Sequence, residues 1–581
     1  MKKLNKLYLI VAFMFVGYSC EITDLDQLNN PNAVTLENAG VDLYWNQIQV
    51  SFPGWWYGNQ TAMLQLARVA CMTGGADYAE AYTPSGFNGS WNGVYAGIVP
   101  DVDAMVAAAS EAESWIHVGA GKIIKAYAIQ MLVDKHGDIP FSEAWQGTAN
   151  LSPKVDDAQS IYAAINALYD EAIADLNKTA IGAPAVDIFY GSDKGKWITL
   201  ANTLKFRLAL NEGNAAGVAA ALSAGVIDEQ AEDWVFTYGS NRQNPDSRHP
   251  WYGGAYESFS GPYQSNYFMW ELMEEKPFAD PRLRYYYKRQ DLQIVGEDLF
   301  TIDCVVPDTR PVWYDNQYTN AYGETKTWPF CAGSSLTTVD ASYAKGYWGR
   351  DHGNNDGTPP DGQKRTHRGI YPAAGAYDDG DAASETDGAV EAGLAPTIHT
   401  QQGGTMGAGG DGHAPILMAA NVYFMRAEAA LDGYSSESAR DMLETAIRTS
   451  IASVMDYSNG WGDTGDFDNN GVGAEPSARA IDNYVSYVLN AYDAAADNEA
   501  KMNIIVKEHR LASFSNGIEL YNAMRRTGHP TEMQGPMKLQ DAGTFPRLFP
   551  YPSDFTQLNA NAPVRTDLGE KIYWDRAGAL N

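Results

Sequence analysis

The sequence predicts a mostly α-helical protein, built from degenerate tetratricopeptide-like helix pairs and carrying one large irregular, loop-rich and aromatic-rich face. Three observations predict it. Apolar residues recur at helical spacing in segment after segment, as Tyr162, Ile165, Tyr169 and Ile173 do. Small alanines stand where paired helices would cross, although no strict 34-residue repeat is visible. From about residue 234 to residue 400 helix formers thin out, while Gly, Pro, Asp, Asn, Tyr and Trp accumulate. An irregular stretch of that length inside an ordered chain marks a functional surface or insertions on a scaffold, and its many aromatics argue against disorder.

Size and charge bound the function. At 581 residues, 45% hydrophobic and 19% charged, the chain has the composition of an ordered globular protein large enough for a sizeable core. The formal charge of -31 excludes nucleic acid as a partner, because a phosphate backbone requires a basic footprint.

At the N-terminus, Lys2, Lys3 and Lys6 precede an apolar run over 7–16, and Cys20 follows shortly after, the layout of a secretory signal. The run is too short to cross a hydrocarbon layer of about 30 Å as a helix. Residues 1–19 therefore read as a lipoprotein signal peptide, Cys20 as the lipid anchor, 20–36 as a lipidated tether and 37–581 as one helical unit with its loop-rich insertion region at about 234–400. Periodicity places helices at 63–71, from Trp91 through Met105, at 122–136, 160–176, 196–210, 267–275, 414–431, 437–451 and 481–492. A closing helix follows within 501–530. Ile504, Leu511, Phe514, Ile518 and Tyr521 line its apolar face, Lys507, Glu508 and Arg510 its opposite polar face, and Gly528 and Pro530 stop it.

Chemistry-bearing constellations are scarce. There is no G-x-S-x-G, no H-E-x-x-H and no complete phosphate loop, and Gly119-Ala120-Gly121-Lys122 reads as a helix start. The chain is therefore read as a non-enzyme without cofactor. Asp466, Asp468 and Asn470 before Gly471 open like a calcium loop, but Ser477 stands where the bidentate glutamate belongs, so an Asx-rich turn without metal is expected. Past Cys20 the cysteines are Cys71, read as a buried thiol, and Cys304 and Cys331, for which a disulfide and two free thiols both remain open.

The case for ligand binding rests on aromatics. An indole or phenol offers a flat apolar face and a polar edge, matching the C–H face and hydroxyl rim of a sugar ring. Trp55 and Trp56, bracketed by Gly54 and Gly58, are expected in a loop; Tyr78 and Tyr82 lie in a second expected loop over 73–88; Trp313, Tyr314 and Trp348 lie in the irregular middle. These seven are the candidate ligand-binding residues.

Several motifs resemble those of one family. Trp91, Tyr95 and Ile98 form a W-x-x-x-Y-x-x-I segment, Gly137-Asp138-Ile139-Pro140 a G-D-x-P helix stop, and Arg426–Leu431 an R-A-E-A-A-L run. Glu508, Arg510, Gly517 and the run Arg525-Arg526-Thr527-Gly528-His529-Pro530 match its closing helix, in the variant branch ending R-R-T-G-x-P; His509, Glu519 and Asn522 depart from the commoner pattern. On these residues the chain resembles the SusD/RagB-like nutrient-binding lipoproteins. The resemblance implies a non-catalytic protein, lipid-anchored at the outer membrane and exposed at the cell surface, where Glu21, Asp24 and Asp26 resemble an acidic surface-export tag. It implies capture of an oligosaccharide and its transfer to a TonB-dependent transporter of the SusC/RagA type. The competing expectations are a peptide ligand, as in some RagB-like members, and a glycoside hydrolase.

Overall fold

In the computed structural model, residues 40–72, 74–75, 77–257, 263–288, 316–328, 347, 349–354, 366–378, 407–459, 476–537 and 542–580 are described. Cys20, Cys304, Trp313, Tyr314, Cys331, Trp348 and Asp466 lie outside them, so the expectations resting on these residues have no structural counterpart below.

The described residues are mostly helical. The N-terminal part runs α1 (Val41–Gly58), α2 (Thr61–Leu66), α3 (Asn88–Asn92), α4 (Val99–Glu111), α5 (Trp115–His136), α6 (Ala158–Leu176), α7 (Lys194–Glu212) and α8 (Ala215–Ala224). Consecutive helices from α4 to α8 pack pairwise, the arrangement expected of tetratricopeptide-like stacking. Local chemistry sets several boundaries. Asp157 caps α6 by accepting from the Ser160 amide, Asp193 caps α7 through the Gly195 amide, and Gly213 ends α7 in the left-handed region at φ 67°. Helix α5 is buried nearly all round, and two glycines allow the close crossings this requires: a Cβ on Gly119 would stand 2.4 Å from Leu176 Cγ, and one on Gly121 2.5 Å from Met105 Cε. The Gly119–Lys122 run is thus an interior packing segment of α5 rather than its start.

The middle is less structureless than its composition suggests. β1 (Trp234–Thr237), α9 (Pro250–Tyr256), α10 (Asn266–Met273), α11 (Leu283–Tyr286), β2 (Tyr287–Lys288), β3 (Gln317–Thr319), β4 (Thr325–Thr327) and β5 (His367–Arg368) occur within it. β2 pairs with β5 and β3 with β4, both antiparallel. β1 pairs with β6 (His413–Leu417), residues whose local pattern predicts helix. Non-local pairing overrides the local pattern there. The C-terminal helices are α12 (Ala419–Leu431), α13 (Ala439–Asn459), α14 (Ala478–Ala494), α15 (Asn498–Ala512), α16 (Gly517–Thr527) and α17 (Ser553–Leu558). The expected closing helix is two helices, α15 and α16, broken at Ser513–Asn516. Its polar face is buried as well: Lys507, Glu508 and Arg510 are interior ions. The stop at Gly528, with φ 79°, matches the sequence. α16 packs on α2, so the end of the chain closes over its beginning. Among the described residues no helix is long and apolar enough to cross a membrane.

The β1–α12 junction makes one testable case. Asp233 accepts from the Ala419 amide at 2.6 Å and from Tyr457 at 3.2 Å, and burial pushes its carboxyl up to about 7. An acid whose folded pKa exceeds its unfolded one binds more protons when folded, so this group's stabilising contribution falls as pH rises from about 4 to about 7. Asp233→Asn is expected to raise the denaturation midpoint at pH 8 and leave it nearly unchanged at pH 4, read by chemical unfolding at both pH values. A midpoint lowered at pH 8 would show that the charge contributes more as a cap than burial costs.

Candidate ligand-binding site

The residues from Trp55 to Tyr57 are not a loop. Tyr44 or Trp45, Ile48, Phe52 and Trp56 recur about every four residues along α1 and face inward, and Pro53 is accommodated within that helix. Trp56 is 0% exposed and its indole N–H donates to the Tyr127 hydroxyl at 3.1 Å, so it packs the core and offers no face to a ligand. Trp55, one residue earlier, projects about 100° around the helix and is only half-buried.

Trp55 is held firmly. Its indole N–H donates to the Ser90 carbonyl at 2.8 Å, and its ring lies against Gly93, where a Cβ would come within 2.3 Å of the indole Cδ1. Gly93 opens a π-helical turn, Gly93–Ile98, inserted between α3 and α4. Such single turns are frequent at functional sites because they shift the register of a helix and re-aim its contacts. The resembling W-x-x-x-Y-x-x-I segment is this turn and its approach, with Trp91 buried against Phe555 and Tyr95 donating to the Pro140 carbonyl.

Opposite Trp55, the second expected loop contributes a one-turn helix, Tyr78–Ala81, and a 3-10 turn, Pro84–Phe87. Tyr82 and Phe87 both pack on Phe549, with ring centroids 5.4 and 4.8 Å from it. Tyr78 stacks behind Tyr82 at 11° and accepts a hydrogen bond from Arg68, placing it in the core at 3% exposure.

Trp55, Tyr82 and Phe87 line one open cavity of about 420 Å³, within the range of small-molecule sites. Its rim is exposed and rich in small residues, with Gly54, Gly58, Thr61, Thr83 and Gly86, and its inner end is polar, with Asn59, Ser90 and Lys135. Lys135 Nζ donates to Asn59 Oδ1 at 2.7 Å and to Ser90 Oγ at 2.9 Å, and burial pushes its ammonium down to about 7. The arrangement is two aromatic walls and a hydrogen-bonding floor, suited to a ligand with an apolar face and a polar rim.

Thus two of the seven aromatic candidates, Trp55 and Tyr82, meet at one cavity; Trp56 and Tyr78 are interior; Trp313, Tyr314 and Trp348 are outside the described residues. The polar floor escapes sequence reasoning. A weak signal is present: Lys135 follows Met131 and Leu132 by four and three residues, so it falls on the apolar side of its helix. Arg68 bonds the Gln534 and Leu66 carbonyls from a fully buried position away from the cavity lining. Among the described residues no cluster of His, Cys, Asp and Glu could hold a metal ion.

Two family models match the chain. One, described as starch-binding and associating with the outer membrane, matches residues 31–298; the other, the SusD and RagB outer membrane lipoproteins, matches residues 404–561. The chain belongs to the SusD/RagB-like family. The backbone agrees: a SusD homologue from Bacteroides fragilis NCTC 9343 superposes with a TM-score of 0.62 at 16% identity, over 93% of this chain and 100% of that one. A SusD/RagB family protein from Bacteroides thetaiotaomicron VPI-5482 gives 0.61 at 18% identity, over 93% of this chain and 100% of that one. A protein described as chitin-binding gives 0.60 at 19% identity, over 92% of this chain and 99% of that one. At these identities the likeness is one of fold. No curated protein matches the sequence. The SusD-like fold explains why the family's motifs converge on structure: the W-x-x-x-Y-x-x-I turn braces Trp55, and the R-R-T-G-x-P helix buries Arg526 against Glu428 in a two-pronged pair.

Proposed function

We propose that this SusD/RagB-like chain is a non-catalytic nutrient-binding protein that captures an oligosaccharide in the cavity between Trp55 and Tyr82. The observation that carries the reading is the clamped indole of Trp55, fixed by Ser90 and Gly93 at the wall of a cavity whose floor donates and accepts hydrogen bonds. A sugar ring stacked on the indole removes its C–H face from water, while its hydroxyls exchange water for Asn59, Ser90 and Gln65. A pre-fixed aromatic wall loses little conformational freedom on binding, which leaves more of the contact energy as affinity. One family model describes outer membrane lipoproteins and the other is starch-binding and associates with the outer membrane; this supports anchoring through lipid on Cys20, and on the same reading the ligand passes to a TonB-dependent transporter of the SusC/RagA type.

Isothermal titration of the purified protein against glycan and peptide panels tests the reading. Trp55→Ala is expected to weaken glycan binding at least about tenfold, roughly 1.4 kcal/mol. Gly93→Ala, which pushes the indole without removing it, is expected to do the same with less disturbance of the aromatic core. Unchanged affinity in both variants would remove this cavity as the site. Retention of peptides without glycans, or release of cleaved products, would replace the oligosaccharide-carrier reading with a peptide carrier or an enzyme.

A further inference from the structure

The cavity holds one charged side chain and no counter-charge. Of the described residues that line it, Lys135 alone is ionisable as a cation and none is an acid, in a protein whose formal charge is -31. Lys135 is 2% exposed, and its ammonium gives protons to Asn59 Oδ1 and Ser90 Oγ and lies 5.2 Å from the Phe87 ring centre. These are neutral partners, and an ammonium has three protons to place. Lys507 shows how the same protein holds a buried lysine whose role is structural, surrounding it with Glu271, Glu275 and Glu532. Taking an ammonium out of water without an opposite charge is costly, and that cost is recovered when a ligand brings the charge with it.

Resting on the proposed reading of this cavity as the glycan site, we propose that its ligand is an acidic oligosaccharide, with a uronate carboxylate pairing Lys135 at the floor while the sugar ring stacks on Trp55. The lowered proton affinity of Lys135 agrees with this, since burial among neutral partners is its cause. A carboxylate there would form a charge-assisted hydrogen bond in a shielded setting, stronger than the bonds a neutral hydroxyl makes to the same group. The surrounding negative charge slows the approach of such a ligand but does not alter the local pairing.

Titration calorimetry with oligogalacturonate, a neutral oligogalactan of equal length and a sulfated galactan tests the proposal. The purified protein is expected to bind the uronate oligomer at least tenfold more tightly than the neutral one. Lys135→Met is expected to erase that preference, bringing the affinities of the uronate and neutral oligomers to within threefold of each other. Should Lys135→Met fail to fold, Asn59→Asp serves in its place: it supplies the missing negative charge beside Lys135, and is expected to cost the uronate oligomer tenfold or more while leaving a folded protein. Equal binding of uronate and neutral oligomers by the unaltered protein, or a uronate preference that survives both substitutions, would overturn the proposal and leave the Trp55 site standing. A preference for the sulfated galactan over the uronate would overturn the carboxylate assignment. Binding of none of the three, with Trp55→Ala without effect on any glycan, would overturn the site itself.

Discussion

Lys507→Met is expected to lower stability by about 3–5 kcal/mol at pH 7, the usual consequence of removing one partner from a buried ionic cluster. Lys507 on α15 pairs with Glu271 of α10 and reaches Glu275 at 3.0 Å and Glu532 at 3.7 Å; Arg510, one turn on, shares Glu271. All are buried. Burial pushes the Glu271 carboxyl up, but Arg510 and Lys507 outweigh it and hold it below the usual range, whereas Glu275 stays above the usual range because burial dominates. Methionine keeps the length and apolar stem of lysine, so the variant isolates the charge. With Lys507 gone, Glu271 and Glu275 each lose a neighbouring cation, and the folded proton affinity of both carboxyls rises. Such groups lose stability as pH rises, so the gap from the unaltered protein should narrow on acidification from pH 7 to pH 5. Denaturant midpoints at the two pH values give the answer. A loss under about 1 kcal/mol at both would show the cluster to be energetically idle.

Gly517→Ala is expected to cost about 2–3 kcal/mol, at the upper end of what added core volume does. Gly517 opens α16 where that helix meets α2, and a Cβ there would stand 2.7 Å from the Gln60 carbonyl oxygen and 2.9 Å from the Leu64 amide. Both are backbone atoms, so no side-chain rotation relieves the contact. The same contact adjoins the proposed binding cavity, because Gln60 follows Asn59 and its side-chain amide oxygen accepts from the Ile518 amide at 3.2 Å. Thermal unfolding measures the loss, and glycan titration should show a weaker ligand response than in the unaltered protein. A melting temperature within a degree of the parent would mean that α2 and α16 can separate at little cost.

How far the sequence reaches can be judged from particular residues. The stripe Tyr162, Ile165, Tyr169 in α6 is readable because helix α6 buries one face and leaves the other wet, the situation that periodicity reports. Lys507, Glu508 and Arg510 read as a polar face for the same reason, but periodicity does not show that this face too is buried. The partners of Lys507, Glu271 and Glu275, lie more than two hundred residues away, and nothing local distinguishes a charge destined for such a pair from one facing water. Trp55 and Trp56 read as a loop because Pro53, Gly54 and Gly58 carry the local marks of one; packing of Trp45, Ile48, Phe52 and Trp56 against the core outweighs those propensities. The β1–β6 pair is not legible because its strands are separated by most of the irregular middle.

By itself, then, the chain's order of residues determined helices such as α5 and α6, the stops at Gly137 and Gly528, and, through its motifs, the family to which it belongs. Those are local properties, decided within a turn or two by backbone sterics, caps and apolar spacing. Only the folded arrangement decided that Trp55 faces a cavity while Trp56 does not, and that Lys135 sits at its floor among neutral partners while Lys507 sits among acids. Charge pairing and enclosure depend on groups brought together across the whole chain, and their energies exist only once water has been excluded between them.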